Sequence, residues 1–350
     1  MADKIRFAII GVGEFGAKRA IYIMKNTSAE LSYVVDVDKD KAKKISLISG
    51  AEVIDFEGLL HRSDFDIAII ATPNKWHAPL TLKLLDARKD VWCEKPMSTD
   101  INSARKMVEK SIHVGSILKV GSNTRYLPNV IRAEQVIRSD LVGEPIFFRG
   151  WVGNNGDHLL CKEWYKKREY VGGGTLIDNG VHLLDIIRYF MGEITRCYSC
   201  FCSNLRWFLN GLEDNCVAIY GLEKEYSLAI IHSSWTEKLG YMHFEIQGDA
   251  GFVNVDVHPT EALLIYNKAD GGIVKEDYSD YPKKSYELEL KAFIHDYKRG
   301  FHPKPTSYDG YRVVKIALLS YQATSKGPVI TFDRSDRELY DRFNKVFEVR

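Results

Sequence analysis

At 350 residues the chain is long for a single hydrophobic core and comfortable for two domains. Its 45% apolar and 27% charged residues suit an ordinary globular protein, and 48 Lys and Arg against 47 Asp and Glu leave a net charge of +1. No global basic field exists to hold nucleic acid, so no nucleic-acid partner is expected. No apolar run approaches the ~20 residues that cross a bilayer. The apolar N-terminal stretch breaks at Gly11 and meets Glu14, so neither a membrane partner nor a secretory leader is expected, and the expected location is cytoplasmic.

In chain order, Ile5–Ile10 is a short β-rich run of the kind that fills a buried parallel strand. It runs into Gly11-Val12-Gly13-Glu14-Phe15-Gly16, and Ala17–Lys25 reads as a helix. Strand, G-x-G-x-x-G and helix together point to a dinucleotide site. Gly11 serves a tight turn, Gly13 lets the backbone approach a pyrophosphate, and Gly16 permits close helix–strand packing. The helix N-terminus offers N–H groups and partial positive charge to that anion, with Glu14 and Phe15 at its first turn. A second strand, Leu31–Val35, ends at Asp36, twenty residues past Gly16. A carboxylate there accepts from a ribose diol and repels a 2′-phosphate, so the expected cofactor is NAD rather than NADP.

Further strands are expected at Ala51–Val53, Ile67–Ala71, Asp90–Cys93 and Ile117–Val120, with helices between them, which is the pattern of a doubly wound sheet. Ligands of such sheets collect beyond the carboxyl ends of the strands. Asp36, Thr72-Pro73-Asn74, Glu94-Lys95 and Asn123 all fall there. His77 lies just beyond, as a cofactor-side group or a helix N-terminal side chain.

From about residue 124 the pattern changes. A helix at Asn129–Arg138 and an extended run at Pro145–Val152 precede an aromatic and polar loop over 151–169. Gly172-Gly173-Gly174 then opens a helix at Thr175–Met191. Strands are expected at 195–202, 215–221, 226–235, 241–247, 251–257 and 261–266, with helices at Ser285–Lys298, Tyr308–Thr324 and Ser335–Phe347. Six cysteines are too few for a disulfide framework. Cys197-Tyr198-Ser199-Cys200 is a C-x-x-C, but no second pair follows at zinc spacing. In a regular strand Cys197 and Cys200 face opposite ways while Cys200 and Cys202 share a face. Small buried hydrophobes are the expectation, with no metal.

These residues resemble the glucose–fructose oxidoreductase / inositol dehydrogenase (Gfo/Idh/MocA) family. The resemblance rests on Gly11–Gly16, Asp36, Thr72-Pro73-Asn74 with His77, Glu94-Lys95-Pro96, and Gly173–Asp178 with Gly180, His182 and Asp185. It implies an N-terminal doubly wound Rossmann α/β domain over 1–123. An α+β domain with a large, mainly antiparallel open sheet follows over 124–350, binding substrate and building a homodimer or homotetramer. It further implies a nicotinamide dinucleotide and a sugar, cyclitol or nucleotide-sugar substrate, with Asn74 and His77 on the nicotinamide side.

At 100° per residue an α-helix places Asp178, His182 and Asp185 within an arc of about 60°, opposite Leu176, Leu183, Ile187 and Phe190. Thr175 with Asp178 also resembles a capping box, though the functional stripe is the favoured reading. The triple glycine is expected to leave space above the helix N-terminus. An imidazole titrates near neutrality, so His182 is the expected proton acceptor in alcohol oxidation. Asp178 is expected to hold substrate or steady the imidazolium, and Lys95 to stabilise the alkoxide. Arg125 and Trp164 are further substrate-side candidates. An NAD-dependent dehydrogenase is the leading expectation. A glycosidase using transient oxidation and a non-catalytic dinucleotide sensor are the alternatives.

Overall fold

The structure is a computed structural model that describes residues 4–268, 270–280 and 284–347. The chain divides into two compact units. The first comprises the segment to Gly121 together with Tyr286–Tyr311 and the segment from Glu338. Its six strands are β1 Ile5–Ile10, β2 Ala29–Val35, β3 Glu52–Val53, β4 Ile67–Ile70, β5 Asp90–Cys93 and β6 Leu118–Val120. They lie in the order β3-β2-β1-β4-β5-β6 and every pairing is parallel. Because all six strands run the same way, the loops after β1, β2, β4 and β5 share the carboxyl edge of the sheet, and the strand order switches sides between β1 and β4. Its helices stop and start on local chemistry. Asp38 and Asp100 accept from first-turn amides of Lys39–Ser49 and Ile101–Val114, and Gly50 and Gly115 end those helices in the left-handed region.

The sequence reading placed all of 124–350 in the second domain; part of it packs with the first unit instead. Leu290, Phe293 and Ile294 of the helix Ser285–Lys298 join the core of Phe7, Ile9 and Trp92. Phe293 stacks on Trp92 with ring centroids 4.8 Å apart. The tail helix Arg334–Phe347, which had no assigned role, sets Phe343 and Phe347 against His302. Apolar side chains on one stripe of each helix find the buried face they need in the first unit.

The second unit holds Ser122–Ser285 and Arg312–Arg337. Its strands are β7 Pro145–Gly153, β8 Ile194–Ser203, β9 Asn215–Leu222, β10 Leu228–Ser234, β11 Tyr241–Gly248, β12 Phe252–Val257, β13 Ala262–Asn267, β14 Ile273–Asp277 and β15 Val329–Ile330. They form one sheet in the order β14-β13-β12-β11-β7-β10-β9-β8-β15, antiparallel throughout except for β7 with β10. Helices Pro128–Arg138, Val181–Met191 and the later turns of Ser307–Lys326 bury one face of it. The other face carries Phe201, Val217 and Leu228, which are 66%, 42% and 37% exposed.

Two expectations for this unit are corrected. Register shifts between Ile194 and Arg196 and between Cys197 and Ser199 interrupt the alternation of β8. Both Cys197 and Cys200 therefore turn to the buried face, which regular strand geometry forbids. The expected helix Thr175–Met191 opens with a single π turn, Leu176–Gly180, before its α-helical part begins at Val181. The wheel that set Asp178 in one stripe with His182 assumed an unbroken α-helix, and the wider turn moves Asp178 off it.

Candidate active site

In the first unit the glycine loop has the geometry its motif requires. Gly11 has φ +87°, and a Cβ on Gly16 would sit 1.9 Å from the Gly11 carbonyl oxygen. A Cβ on Gly13 would meet nothing within 4 Å, so the backbone there lies open to a ligand. No side chain caps the helix Glu14–Lys25 that follows. Asp36 closes this corner: its carboxylate accepts from the Val12 amide at 2.7 Å and from the Asp38 amide at 2.8 Å. The Thr72 hydroxyl oxygen is buried and has no hydrogen-bond partner among the described residues, and its methyl group lies beside Gly11. An open glycine backbone, a carboxylate at the strand end and an orphaned hydroxyl together fit a dinucleotide.

His77 is the first residue of the helix His77–Asp86, the second of the two places the sequence offered it, and Glu94 belongs to a buried ion-pair set. His77 is buried, with Nδ1 2.8 Å from the Pro96 carbonyl and Nε2 2.8 Å from the Thr72 carbonyl. Burial pushes its pKa below the ordinary value. Both ring nitrogens face backbone, so His77 clasps the loop after β4 to the loop after β5. Glu94 accepts from Arg19 Nε at 2.7 Å; Arg19 in turn donates to Glu289, which also accepts from Lys119 at 2.6 Å. This buried set lies around Trp92, and the Arg19 guanidinium sits 4.4 Å from its ring centroid. Lys95 follows Glu94 directly and is half-buried, and Asn74 opens a short helical turn, Asn74–Trp76.

In the second unit, every residue from Val171 to Ile187 is buried except His182. Its Nδ1 lies 2.9 Å from the Thr124 hydroxyl. Asp178 is held by donation from the Tyr165 hydroxyl at 2.9 Å and from Trp235 Nε1 at 3.0 Å. The capping-box alternative fails, because Thr175 is helical and its side chain caps nothing. Glu213 supplies the cap from far along the chain: its carboxylate accepts from the Gly174 and Leu176 amides at 3.0 and 2.9 Å. The triple glycine therefore leaves no empty space above the helix. A Cβ on Gly173 would lie 2.3 Å from the Tyr321 hydroxyl, and one on Gly174 would lie 1.9 Å from the Glu213 carbonyl.

Asp185 is engaged elsewhere, accepting a two-pronged pair from Arg125 at 2.8 and 2.5 Å and a hydrogen bond from Ser122 at 2.8 Å. Arg125 is thereby a buried anchor for that helix rather than an available cation. Asn123 donates to Ser285 at 2.8 Å. Trp164 packs on Tyr165, with centroids 4.4 Å apart. The sequence reading missed Thr124, Tyr165, Trp235, Glu213 and Arg19. None of them carries a signal in its local sequence.

A Rossmann sheet with this loop, in a chain whose second unit leaves one histidine partly accessible in the buried stretch Val171–Ile187, defines a dinucleotide-dependent oxidoreductase. Family profiles agree: that of the Gfo/Idh/MocA oxidoreductase family, with an NAD-binding Rossmann fold, matches residues 5–122, and that of the family's C-terminal domain matches 130–254. The chain belongs to the Gfo/Idh/MocA family, and its first unit is an NAD-binding Rossmann fold. Among its relatives, inositol 2-dehydrogenase of Rubrobacter xylanophilus is 27% identical over 323 residues, spanning 90% of each chain. The scyllo-inositol 2-dehydrogenase (NAD(+)) of Bacillus subtilis is 25% identical and covers 95% of this chain and 98% of its own. Levoglucosan dehydrogenase in complex with NADH shares the fold at a TM-score of 0.85 and 18% identity, over 95% of this chain and all of that one. No helix among the described residues is long and apolar enough to cross a membrane.

Proposed function

We propose that this oxidoreductase oxidises one secondary alcohol of a sugar, cyclitol or nucleotide sugar with NAD. Bound NAD accepts the hydride. The glycine loop and the first turn of Glu14–Lys25 bind its pyrophosphate, Asp36 its ribose diol, and Thr72-Pro73-Asn74 its nicotinamide side. The observation that carries the reading is His182, the one residue between Val171 and Ile187 that is not buried, oriented through Nδ1 by Thr124. His182 takes the hydroxyl proton as the carbon gives up its hydride, so the alcohol becomes a carbonyl and one proton is released. Asp178, held by Tyr165 and Trp235, stabilises the imidazolium or a neighbouring hydroxyl of the substrate. Lys95 stabilises the developing alkoxide with a compact charge. The inositol dehydrogenases among the relatives make cyclitols the first substrates to try.

The homo-oligomer is proposed to form on the uncovered face of the second sheet, where Phe201, Val217 and Leu228 stand exposed. The deciding experiment for the activity is a panel of cyclitols, polyols, aldoses and nucleotide sugars with NAD, read by the near-ultraviolet absorbance of reduced nicotinamide. Turnover on one member supports the reading. Aglycone release from a glycoside with no net change in absorbance would replace it with the glycosidase.

A further inference from the structure

Beyond its bulges β8 runs regularly, so Cys200 and Cys202 share a face, and the register of β8 with β9 sets Cys202 directly opposite Cys216. The three sulfurs form a triangle with edges of 3.4 Å (Cys200–Cys216), 3.6 Å (Cys202–Cys216) and 3.7 Å (Cys200–Cys202). Among the described residues they are the group of three or more His, Cys, Asp or Glu whose donor atoms lie close enough to share one ion. No C-x-x-C spacing announces them, because the third sulfur comes from the next strand.

We infer that Cys200, Cys202 and Cys216 form a three-thiolate site for a soft, thiophilic cation, with Zn²⁺ as the ion it fits. A tetrahedral zinc with Zn–S bonds of about 2.3 Å sets its sulfurs about 3.8 Å apart. The triangle is within a few tenths of an ångström of that, so binding requires expansion without rearrangement of either strand. Three protein donors leave the fourth position to water. Cys200 and Cys216 are buried while Cys202 is half-buried, which gives the ion a way in beside Cys202.

Cobalt(II) is the optical probe for the test. Reduced protein titrated with Co²⁺ should develop one equivalent of an intense sulfur-to-cobalt charge-transfer band, and Zn²⁺ should remove it stoichiometrically. Cys202→Ser and Cys216→Ser should each weaken Co²⁺ binding by roughly tenfold or more, whereas Cys161→Ser should leave it unchanged. A measurement on the wild-type chain guards against misfolded variants: one equivalent of Zn²⁺ should protect Cys202, mapped by mass spectrometry, from alkylation. Absence of the band in reduced wild-type protein, a band that Cys202→Ser retains, unprotected Cys202 at saturating Zn²⁺, or a Cys202–Cys216 disulfide in a glutathione buffer of cytosolic poise would each overturn the site.

Discussion

The Thr124 hydroxyl lies 2.9 Å from His182 Nδ1, joining the turn after β6 to the one unburied position between Val171 and Ile187. With Nδ1 held there, the proposed proton transfer falls to Nε2. His182→Ala should lower kcat by roughly 10²–10⁴ with NAD affinity nearly unchanged, because only the proton path is lost. Thr124→Val should cost about tenfold, the worth of one orienting hydrogen bond. Near-normal turnover and a flat pH profile in His182→Ala would identify another base.

Lys95 tests the electrostatic half of the chemistry. Lys95→Ala should reduce kcat at least as far as His182→Ala does. Lys95→Arg should not restore it, since a planar fork cannot replace a point charge beside one oxygen. Dinucleotide binding, followed by fluorescence quenching, should survive both changes. Rescue by arginine would show that positive charge alone suffices.

Asp36 makes the cofactor preference measurable. The kcat/KM ratio should favour NAD over NADP by more than tenfold, and Asp36→Ala should narrow it by removing the repulsion of a 2′-phosphate. The same change also deprives the Val12 amide of its acceptor, so some loss of NAD affinity should accompany it. A wild-type preference for NADP would refute the assignment.

Burial raises the Glu213 pKa from its ordinary 4.5 to about 7. The folded state then binds the Glu213 proton more tightly than the unfolded chain does. Its contribution to stability is complete below pH 4.5 and is lost as pH rises through about 7. Glu213→Gln should flatten this part of the stability profile, measured by urea unfolding across that window with a chelator present. An unchanged slope would place the carboxylate's titration elsewhere.

The uncovered sheet face predicts association. Light scattering at micromolar concentration should show a dimer or tetramer, and Phe201→Glu should shift it toward monomer while leaving the core intact, because Phe201 points away from it. A monomeric wild-type chain would remove the proposal.

The first unit was legible almost strand by strand, because a parallel sheet writes itself as short apolar runs alternating with helices, and the glycine loop requires particular residues at particular places. The limits of the reading have physical causes. His77 satisfied its motif, but the sequence could not say that two backbone carbonyls would occupy its ring. Arg125 and Asp185 are sixty residues apart and meet only through the fold. The cysteine triangle depends on the register that sets Cys202 opposite Cys216, and the spacing within either strand does not reveal which residues of the next strand it will face.

The cap on the π turn has a consequence for how the molecule assembles. The amides of Gly174 and Leu176 find their acceptor in Glu213, 39 and 37 residues later in the chain. No neighbouring side chain supplies one earlier, so the turn that leads to His182 cannot be completed as a local event during synthesis. It must wait for the β8–β9 hairpin to be made and docked. The segment carrying the proposed base is therefore among the last pieces of its unit to set. In pulse-labelling hydrogen exchange, the amides of Gly174 and Leu176 would gain protection together with β9, after the helix Val181–Met191 has formed.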